Sequence, residues 1–404
     1  MQDRSVQARY VFMNEASSIS VIQNGANQKE VRNHNERLIL SVLQRARDLP
    51  GSEIARQTKL SAQTVSVILR KLEGDGLVKK GKPVKGQVGK PFVPIALNAK
   101  GAYSIGFKLG RRSSEACMMR LDGRIIFKDQ FQYAVALPDE IFAFVRDCLS
   151  AAEDALGEKE RSKLCGIGIA APFEIWKWGV EGGNTPEAFL SWKDISFERE
   201  MSRFTDLPIF MVNDATAACW AEHVYGGGRA LTNYAYFFVS TFIGGGVVLN
   251  RSVYEGARGN AGAFGPLRVG DRAGQTRQLL DIASIHCLES RLTANGYDPA
   301  ALWERPQDWS RFEALVEDWI IETAHGVAQA CVSVCAVIDF EVVVVDGYFP
   351  PTIRERLVEA VQAYLPKEDS RGLILPRVQE GQIGAEARAR GAATIPVFAQ
   401  YLLS

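Results

Sequence analysis

The feature that most constrains the fold is a pair of short helical segments near the N-terminus, separated by only three residues. The sequence predicts one helix over residues 52–58, with Ser52 as its N-cap, and a second over residues 62–73, capped by Ser61. Lys59-Leu60-Ser61 then forms a tight turn between them. This spacing is typical of the helix-turn-helix, whose second helix lies in the major groove of DNA.

The segments on either side extend this unit. Apolar residues at helical spacing predict a further helix over residues 35–48. Two short apolar strands, residues 77–80 and 92–97, enclose a loop rich in Gly and Lys and predict a β-hairpin wing. The prediction is therefore a winged helix-turn-helix over residues 31–97, preceded by a polar, flexible arm over residues 1–30.

Charge supports a polyanionic partner for this unit. Residues 1–100 carry 17 Lys+Arg against 8 Asp+Glu, although the whole chain is balanced at 47 against 47. Such asymmetry is typical of a basic module that binds nucleic acid, joined to an acidic body. The alternatives are an ordinary solvated basic surface and a helix-turn-helix that binds protein.

The predicted contacts to double-stranded operator DNA come from the second helix and the wing. Gln63 can pair with adenine, small residues at the helix start can reach a base or phosphate, and the cations farther along suit phosphates. A small cationic wing tip suits a narrow minor groove. The predicted DNA-binding residues are Ser61, Gln63, Thr64, Ser66, Arg70, Lys71, Lys85 and Lys90.

After residue 98 the pattern changes to an α/β chain, in which apolar strands alternate with helical stretches. The predicted strands cover residues 103–109, 116–121, 164–170, 209–212, 234–240 and 342–345.

The remaining composition favours a soluble, cytoplasmic protein. The seven cysteines are scattered without a C-x-x-C pair, which suits reduced thiols. The first 30 residues lack the apolar core of a signal peptide. The longest apolar stretch, residues 327–340, is interrupted by polar residues and is shorter than the ~20 residues that span a bilayer. No membrane partner is predicted.

A series of motifs resembles the ROK family (repressor, open reading frame, kinase), and in particular its repressor branch. No single motif is specific, but their order over residues 33–404 is. The matching segments are residues 58–66 and 72–78 in the winged helix, 89–91 at the wing tip, and 166–172, 208–215, 244–246 and 384–393 in the body. The resemblance implies a two-lobed actin/hexokinase-like (ribonuclease H-like) domain over residues 98–404, whose C-terminal helix returns to the first lobe.

In the kinases of this family an aspartate accepts the proton of a sugar hydroxyl that attacks the γ-phosphate of ATP. By resemblance Asp214 stands in that position, Asn213 in a sugar contact beside it, and Glu289 in that of the last sugar carboxylate. These three residues are the predicted ligand-binding set. For Asn213-Asp214 the competing interpretation is a cap on a helix over residues 215–223, and both can hold together.

Several motifs that the kinases need are altered. Asp-x-Gly-Gly-Thr of the first phosphate loop reads Lys108-Leu109-Gly110-Arg111-Arg112, which replaces an acidic group by a cation, although arginines could retain an anion site. In the second loop Gly-Thr-Gly reads Ser240-Thr241-Phe242. The sugar-side glutamate and histidine are Ala263 and Pro266. No catalytic residues and no cofactor are therefore predicted.

The zinc cluster of the family falls on residues 280–287. Only Cys287 keeps a ligand type, with His286 beside it, whereas structural zinc takes four nitrogen or sulfur ligands. No metal is predicted, and Leu279, Leu280 and Ile282 are expected to pack in its place.

Three functions remain: a transcriptional regulator of carbohydrate-related genes, most simply a repressor; an active sugar kinase with an appended DNA-binding domain; and a protein-interaction scaffold. The regulator is favoured, with a sugar or polyol as effector. Members of the family are dimers or tetramers, so a homodimer or homotetramer is expected, and its symmetry implies a palindromic operator.

Overall fold

The computed structural model describes residues 28–84, 92–133, 135–172 and 190–403. They divide into two compact units. The first unit contains the described residues up to Asp214 together with those from Ala392 onward, and the second contains Ala215–Gly391.

In the described residues the first unit begins with a small domain of three helices and a three-stranded sheet, here called the winged helix. Val65, Ile68, Leu69 and Leu72 line the buried side of its third helix, as the sequence pattern predicted. The strands are ordered β1-β3-β2, and both pairings are antiparallel. Its elements are α1 Gln28–Ala46, β1 Asp48–Pro50, α2 Gly51–Thr58, α3 Ala62–Gly74, β2 Val78–Lys80 and β3 Pro94–Leu97.

The structure differs from the sequence-based expectation at three places in this domain. Helix α1 begins at Gln28 rather than at residue 35, so the boundary drawn between residues 30 and 31 falls inside a helix. Helix α2 has Pro50, not Ser52, at its N-cap, without a side-chain cap. The residues before α2 form strand β1, which was not predicted, because pairing with β3 holds Asp48–Pro50 extended up to the first helical residue.

The rest of the first unit is built on a mixed sheet. Within the described residues its strand order is β6-β5-β4-β7-β8, antiparallel between β6, β5 and β4 and parallel from β4 to β8. The strands are β4 Tyr103–Leu109, β5 Ser113–Arg120, β6 Ile125–Gln132, β7 Leu164–Ala171 and β8 Ile209–Asn213; the helices are α4 Pro138–Asp154, α5 Glu158–Arg161 and α6 Phe197–Met201.

The second unit repeats this arrangement. Its main sheet is ordered β11-β10-β9-β14-β15 in the described residues, with the same succession of antiparallel and parallel pairs. The strands are β9 Tyr234–Val239, β10 Gly244–Leu249, β11 Ser252–Tyr254, β12 Arg268–Gly270, β13 Thr276–Gln278, β14 Val342–Gly347 and β15 Arg377–Glu380. The helices are α7 Asp214–Tyr225, α8 Leu280–Ala283, α9 Ile285–Ala294, α10 Glu313–Val337, α11 Pro351–Tyr364 and α12 Ala387–Tyr401.

The predicted α/β class is confirmed, and all six predicted body strands are present: residues 103–109 match at both ends, and the other five have one or both ends shifted. The repeated strand order indicates that the two units are two copies of one topology. Helix α12 starts in the second unit and ends in the first.

Helix α10 is the core helix of the second unit. Among the described residues, the segment 310–337 that contains it is the one helical segment long and apolar enough to cross a membrane. However, 56% of its most apolar 18-residue stretch is buried within the protein. Trp319, Ala324 and Val327 are fully buried in the cluster that also holds Val343 and Val345 of β14. Its apolar character is therefore explained by packing against the sheet.

The cysteines give a direct test of the packing in both units. Six are buried and only Cys287 is half-buried; burial raises the pKa of both Cys148 and Cys165 to about 12. Because the thiolate is the reactive form, we expect iodoacetamide at pH 8 to modify Cys287 well before the other six, and all seven in urea. Mass spectrometry of tryptic peptides measures this, with Cys287→Ser as the control. Labelling of Cys148 at the rate of Cys287 in the native protein would contradict the packing.

Candidate nucleic-acid interface and effector site

Helix α3 begins with the predicted cap. The backbone N–H of Thr64 donates to Ser61 Oγ at 3.1 Å, and the hydroxyls of the two residues lie 2.8 Å apart. The preceding turn is closed by Lys59, which has a left-handed conformation with φ 58° at the end of α2. Ser61 and Thr64 therefore fix the start of α3, and their hydroxyls are already engaged with each other.

The exposed side of α3 presents a mixed surface. Gln63, Ser66 and Arg70 are exposed, as predicted, and lie three to four residues apart on one face. Val67 lies on the same face with 49% of its surface exposed, a position that the sequence analysis did not assign. The only sequence signal was that Val67 falls outside the apolar stripe formed by the other residues of α3. A methyl-bearing side chain there can contact the methyl group of thymine.

Two of the lysines that the structure describes in this domain form ion pairs within it. Lys71 Nζ lies 2.5 Å from Glu36 Oε2 of α1, so Lys71 joins α3 to α1. Lys80 Nζ lies 2.6 Å from Glu73 Oε2. The predicted role of Lys71 as a phosphate contact thus competes with a structural ion pair. Lys85 and Lys90 lie outside the described residues.

Asn213 and Asp214 lie where β8 ends and α7 begins, and both are half-buried. The helix starts at Asp214 itself rather than at residue 215. A carboxylate in the first turn is stabilised by the backbone N–H groups and the dipole of the helix. This position suits either stabilisation of the first turn of α7 or contact with a ligand.

Glu289 lies on α9 of the second unit and is 4% exposed. Its Oε1 accepts a hydrogen bond from Trp303 Nε1 at 2.8 Å, and its Oε2 lies 3.3 Å from His286 Nδ1. The ring of His286 in turn contacts that of Phe242, with centroids 5.6 Å apart. The carboxylate is therefore held in a fixed orientation, and a carboxylate retains further acceptor sites.

The altered first phosphate loop is filled by its own lysine. Lys108 is 2% exposed, and its Nζ donates to the carbonyl oxygen of Ser113 at 2.9 Å and to Ser113 Oγ at 2.8 Å. The ammonium also lies 3.6 Å from Glu115 Oε1, directly opposite in the register of β4 and β5.

Two further residues close this loop. Tyr133 donates its hydroxyl to the carbonyl oxygen of Gly110 at 2.6 Å. A Cβ atom on Gly110 would lie 2.7 Å from Lys108 Nζ, which shows how closely the loop wraps the ammonium. A cation satisfied by protein oxygens thus lies at the position that the resemblance aligns with the acidic group of the kinases.

The second loop is bound to the start of α9. The backbone N–H groups of Ile285 and His286 donate to the carbonyl oxygens of Ser240 and Thr241 at 2.9 and 3.1 Å, and the N–H of Ile243 donates to Ser284 Oγ at 3.0 Å. These two N–H groups at the first turn of α9 are therefore used within the protein. Gly244–Gly246, matched by resemblance to part of this loop, lies in strand β10.

The segments that the resemblance aligns with the sugar-side and zinc motifs of the kinases carry apolar residues at the predicted positions. Ala263 and Pro266 are exposed, so their small apolar side chains face solvent. Leu279 and Ile282 are buried in the core cluster and Leu280 packs against it, as expected. Within the described ranges, no group of three or more His, Cys, Asp or Glu side chains is placed to hold a metal ion.

Comparison with known sequences places these features in a family. Residues 104–397 match the model of the ROK family, and residues 32–79 match that of a winged helix-turn-helix DNA-binding domain. An uncharacterised protein of Sinorhizobium fredii is 26% identical over 370 residues, covering 90% of this chain and 91% of that protein. The xylose repressor of Bacillus subtilis is 27% identical over 247 residues, or 60% of this chain and 62% of the repressor.

A solved structure agrees with this in fold. A ROK family transcriptional regulator, described as a homologue of the E. coli MLC protein, superposes with a TM-score of 0.64 at 19% identity, covering 92% of this chain and 97% of that one. The predicted winged helix-turn-helix joined to an actin/hexokinase-like domain is confirmed. The chain belongs to the ROK family and carries an N-terminal winged helix-turn-helix.

Proposed function

We propose that the protein is a cytoplasmic, DNA-binding transcriptional repressor of carbohydrate-related genes, whose kinase-like body senses a ligand and does not transfer phosphate. The observation that carries this proposal is the exposed face of α3, on which Gln63, Ser66, Val67 and Arg70 are available to a partner while the opposite side forms the core. The similarity to xylose repressors supports both the DNA-binding role and the link to sugars.

DNA recognition is assigned to this face. Gln63 lies near the N-terminal end of α3, the part of a recognition helix that reaches base edges, and can bond bidentately to adenine. Val67, one turn later, suits a thymine methyl group, and Arg70 and the wing lysines suit phosphates. Binding through several Lys and Arg should weaken steeply as salt rises, because counterions are released from the DNA.

Gln63→Ala is expected to cost about 1–3 kcal/mol of binding free energy and to relax preference at one base position. Lys90→Ala should instead weaken binding to all sequences and lower the salt dependence. Selection of duplexes from a random pool, followed by anisotropy titration, measures both effects. Arg124→Ala, in the exposed turn between β5 and β6, is the control and should bind as wild type. Unchanged base preference in Gln63→Ala would remove this residue from the interface.

The absence of phosphoryl transfer is proposed from the first loop. Lys108 is buried and paired with Glu115. The loop therefore carries a cation at the position that the resemblance aligns with an acidic group of the kinases, which in those enzymes faces the metal-bound nucleotide. The body then retains a ligand-binding role. Asn213, Asp214 and Glu289 are the proposed contacts, and a sugar or polyol is the proposed effector. The exposed methyl of Ala263 and ring of Pro266 argue against an ordinary glucose-type ligand.

The effector changes operator affinity only if it binds two conformations of the protein with different affinities. A coupling of about 1–3 kcal/mol would change operator affinity roughly 5- to 150-fold. We expect one member of a panel of sugars and polyols to shift the operator titration of wild type, and Asp214→Ala to abolish the shift without loss of DNA binding. The same panel with ATP should yield no sugar phosphate.

The proposal has two distinct modes of failure. Sugar phosphate formed by wild type and lost in Asp214→Ala would identify an active kinase. If no compound binds and Asp214→Ala only lowers stability, Asp214 serves the helix end and the body is a scaffold for a homodimer or homotetramer.

A further inference from the structure

The C-terminal helix of the body ends on the winged helix. Arg37, in the middle of α1, donates from Nε to the carbonyl oxygen of Leu402 and from Nη2 to that of Phe398, both at 2.8 Å. One turn further along α1, Ser41 Oγ accepts the backbone N–H of Leu403 at 2.7 Å. Carbonyls in the last turn of a helix have no intrahelical donor and attract positive charge, so the guanidinium caps α12 from a different domain.

A second attachment lies in the connection between the two domains. Strand β3 ends at Leu97 and β4 begins at Tyr103. In between, Asn98 binds the turn that joins α3 to β2. Its backbone N–H donates to the carbonyl oxygen of Leu77 at 2.9 Å, and its Nδ2 donates to that of Gly76 at 2.7 Å. A Cβ atom on Gly101 would lie 2.9 Å from the Gly76 carbonyl oxygen, which permits only glycine at this close approach.

The body holds the other side of this connection. Lys163 Nζ, at the start of β7, donates to the carbonyl oxygen of Lys100 at 2.8 Å, and Lys100 Nζ lies 3.8 Å from Glu160 Oε1. The connection therefore differs from a flexible linker, whose backbone is solvated and free to reorient.

We propose that Arg37 is a positioning residue for DNA recognition: together with the turn at residues 98–102, it fixes the winged helix as one rigid body with the first sheet. A single attachment leaves a domain free to swing about that point, whereas two separate attachments remove the swing. The orientation of α3 is then set by the body rather than by the DNA. This inference goes beyond the proposed function, and only its DNA measurement rests on that function.

The rigidity is tested with trypsin on the full chain. Lys100 is exposed but the following Gly101 is buried, so cleavage after Lys100 requires the connection to open. Without the Arg37 bonds, which are strong because the donor is charged, the connection alone holds the winged helix and should open more often, so Arg37→Gln should raise the cleavage rate at Lys100 about ten-fold or more. Arg32→Gln is the matched control: it makes the same change on the same helix, at a residue paired with Glu36, and should leave the rate unchanged. Arg37→Lys, which keeps one cationic donor, should lie between.

General unfolding is distinguished by tryptophan fluorescence. All seven tryptophans lie at or after residue 176, outside the winged helix. The urea midpoint of this signal should be the same in Arg37→Gln as in wild type if only the attachment is lost. A lowered midpoint that accounts for the faster cleavage would show that Arg37 serves overall stability, and would overturn the proposal.

The positioning role is tested on duplexes selected from a random pool by wild type. In a dimer, an insertion of about five base pairs between half-sites rotates one by half a turn. Wild type and Arg32→Gln should bind the inserted duplex at least about ten-fold more weakly, whereas Arg37→Gln should lose most of this discrimination. Arg37→Gln with wild-type cleavage, or with faster cleavage but full discrimination, overturns the proposal. Failure of wild type to select any sequence would instead count against the proposed function, and the cleavage measurement would still decide the rigidity.

Discussion

Gly168→Ala is expected to destabilise the first unit by about 3 kcal/mol or more. Gly168 lies in strand β7, and a Cβ atom there would be 1.9 Å from the carbonyl oxygen and 2.7 Å from the carbonyl carbon of Ala392. Both atoms belong to the backbone of α12, so no rotamer change can make room and the helix must move away from the sheet. Urea unfolding measured by circular dichroism gives the free energy.

Gly74→Ala is the matched control, since nothing lies within 4 Å of its Cβ position and its φ is not in the left-handed region. It should be neutral or slightly stabilising, because alanine is the better helix former. In the second unit Gly391 shows the same close approach, with its Cβ position 1.7 Å from the carbonyl oxygen of Ala217. A Gly168→Ala protein with the wild-type midpoint and slope would contradict this packing of α12.

Lys108→Met is expected to cost about 3–5 kcal/mol, because it leaves the Glu115 carboxylate buried without its cation. The side chains of Lys108 and Glu115 are only 3% and 9% exposed. The double variant Lys108→Met/Glu115→Leu should recover most of this loss, since an apolar pair of similar volume satisfies the same space. Urea unfolding of the two single variants and the double variant completes the cycle.

The exposed pair Lys80–Glu73 serves as the comparison. Its side chains are 56% and 37% exposed, so Lys80→Met should cost about 1 kcal/mol or less. Equal losses in Lys108→Met and Lys80→Met would mean that the buried pair does not depend on its partner charge.

The local features of the chain were predictable because they depend on neighbouring residues. Ser61 caps α3 through Thr64, three residues away, and the apolar stripe of α3 follows directly from its spacing. The exposed face with Gln63 and Arg70 then follows by exclusion. Strand β7 was predicted because a run of buried apolar residues is visible in the sequence itself.

The features that were missed depend on partners far along the chain. Asp48–Pro50 is too short to be recognised as a strand and is extended only because β3 pairs with it. Glu36 pairs with Lys71 across 35 residues, and Arg37 bonds to Leu402 across 365. The burial of Lys108 required the register that places Glu115 opposite it. Neither composition nor spacing carries this information.

The Lys108–Glu115 pair also limits which single substitutions this loop can accept. Restoring the acidic residue of the kinases at position 108 alone would set two carboxylates directly opposite each other on neighbouring strands, in a buried site, which is strongly unfavourable. Replacing Glu115 first would instead leave the buried ammonium of Lys108 without its partner carboxylate. Each single step toward a phosphate-binding loop of the kinase type therefore passes through a less stable protein.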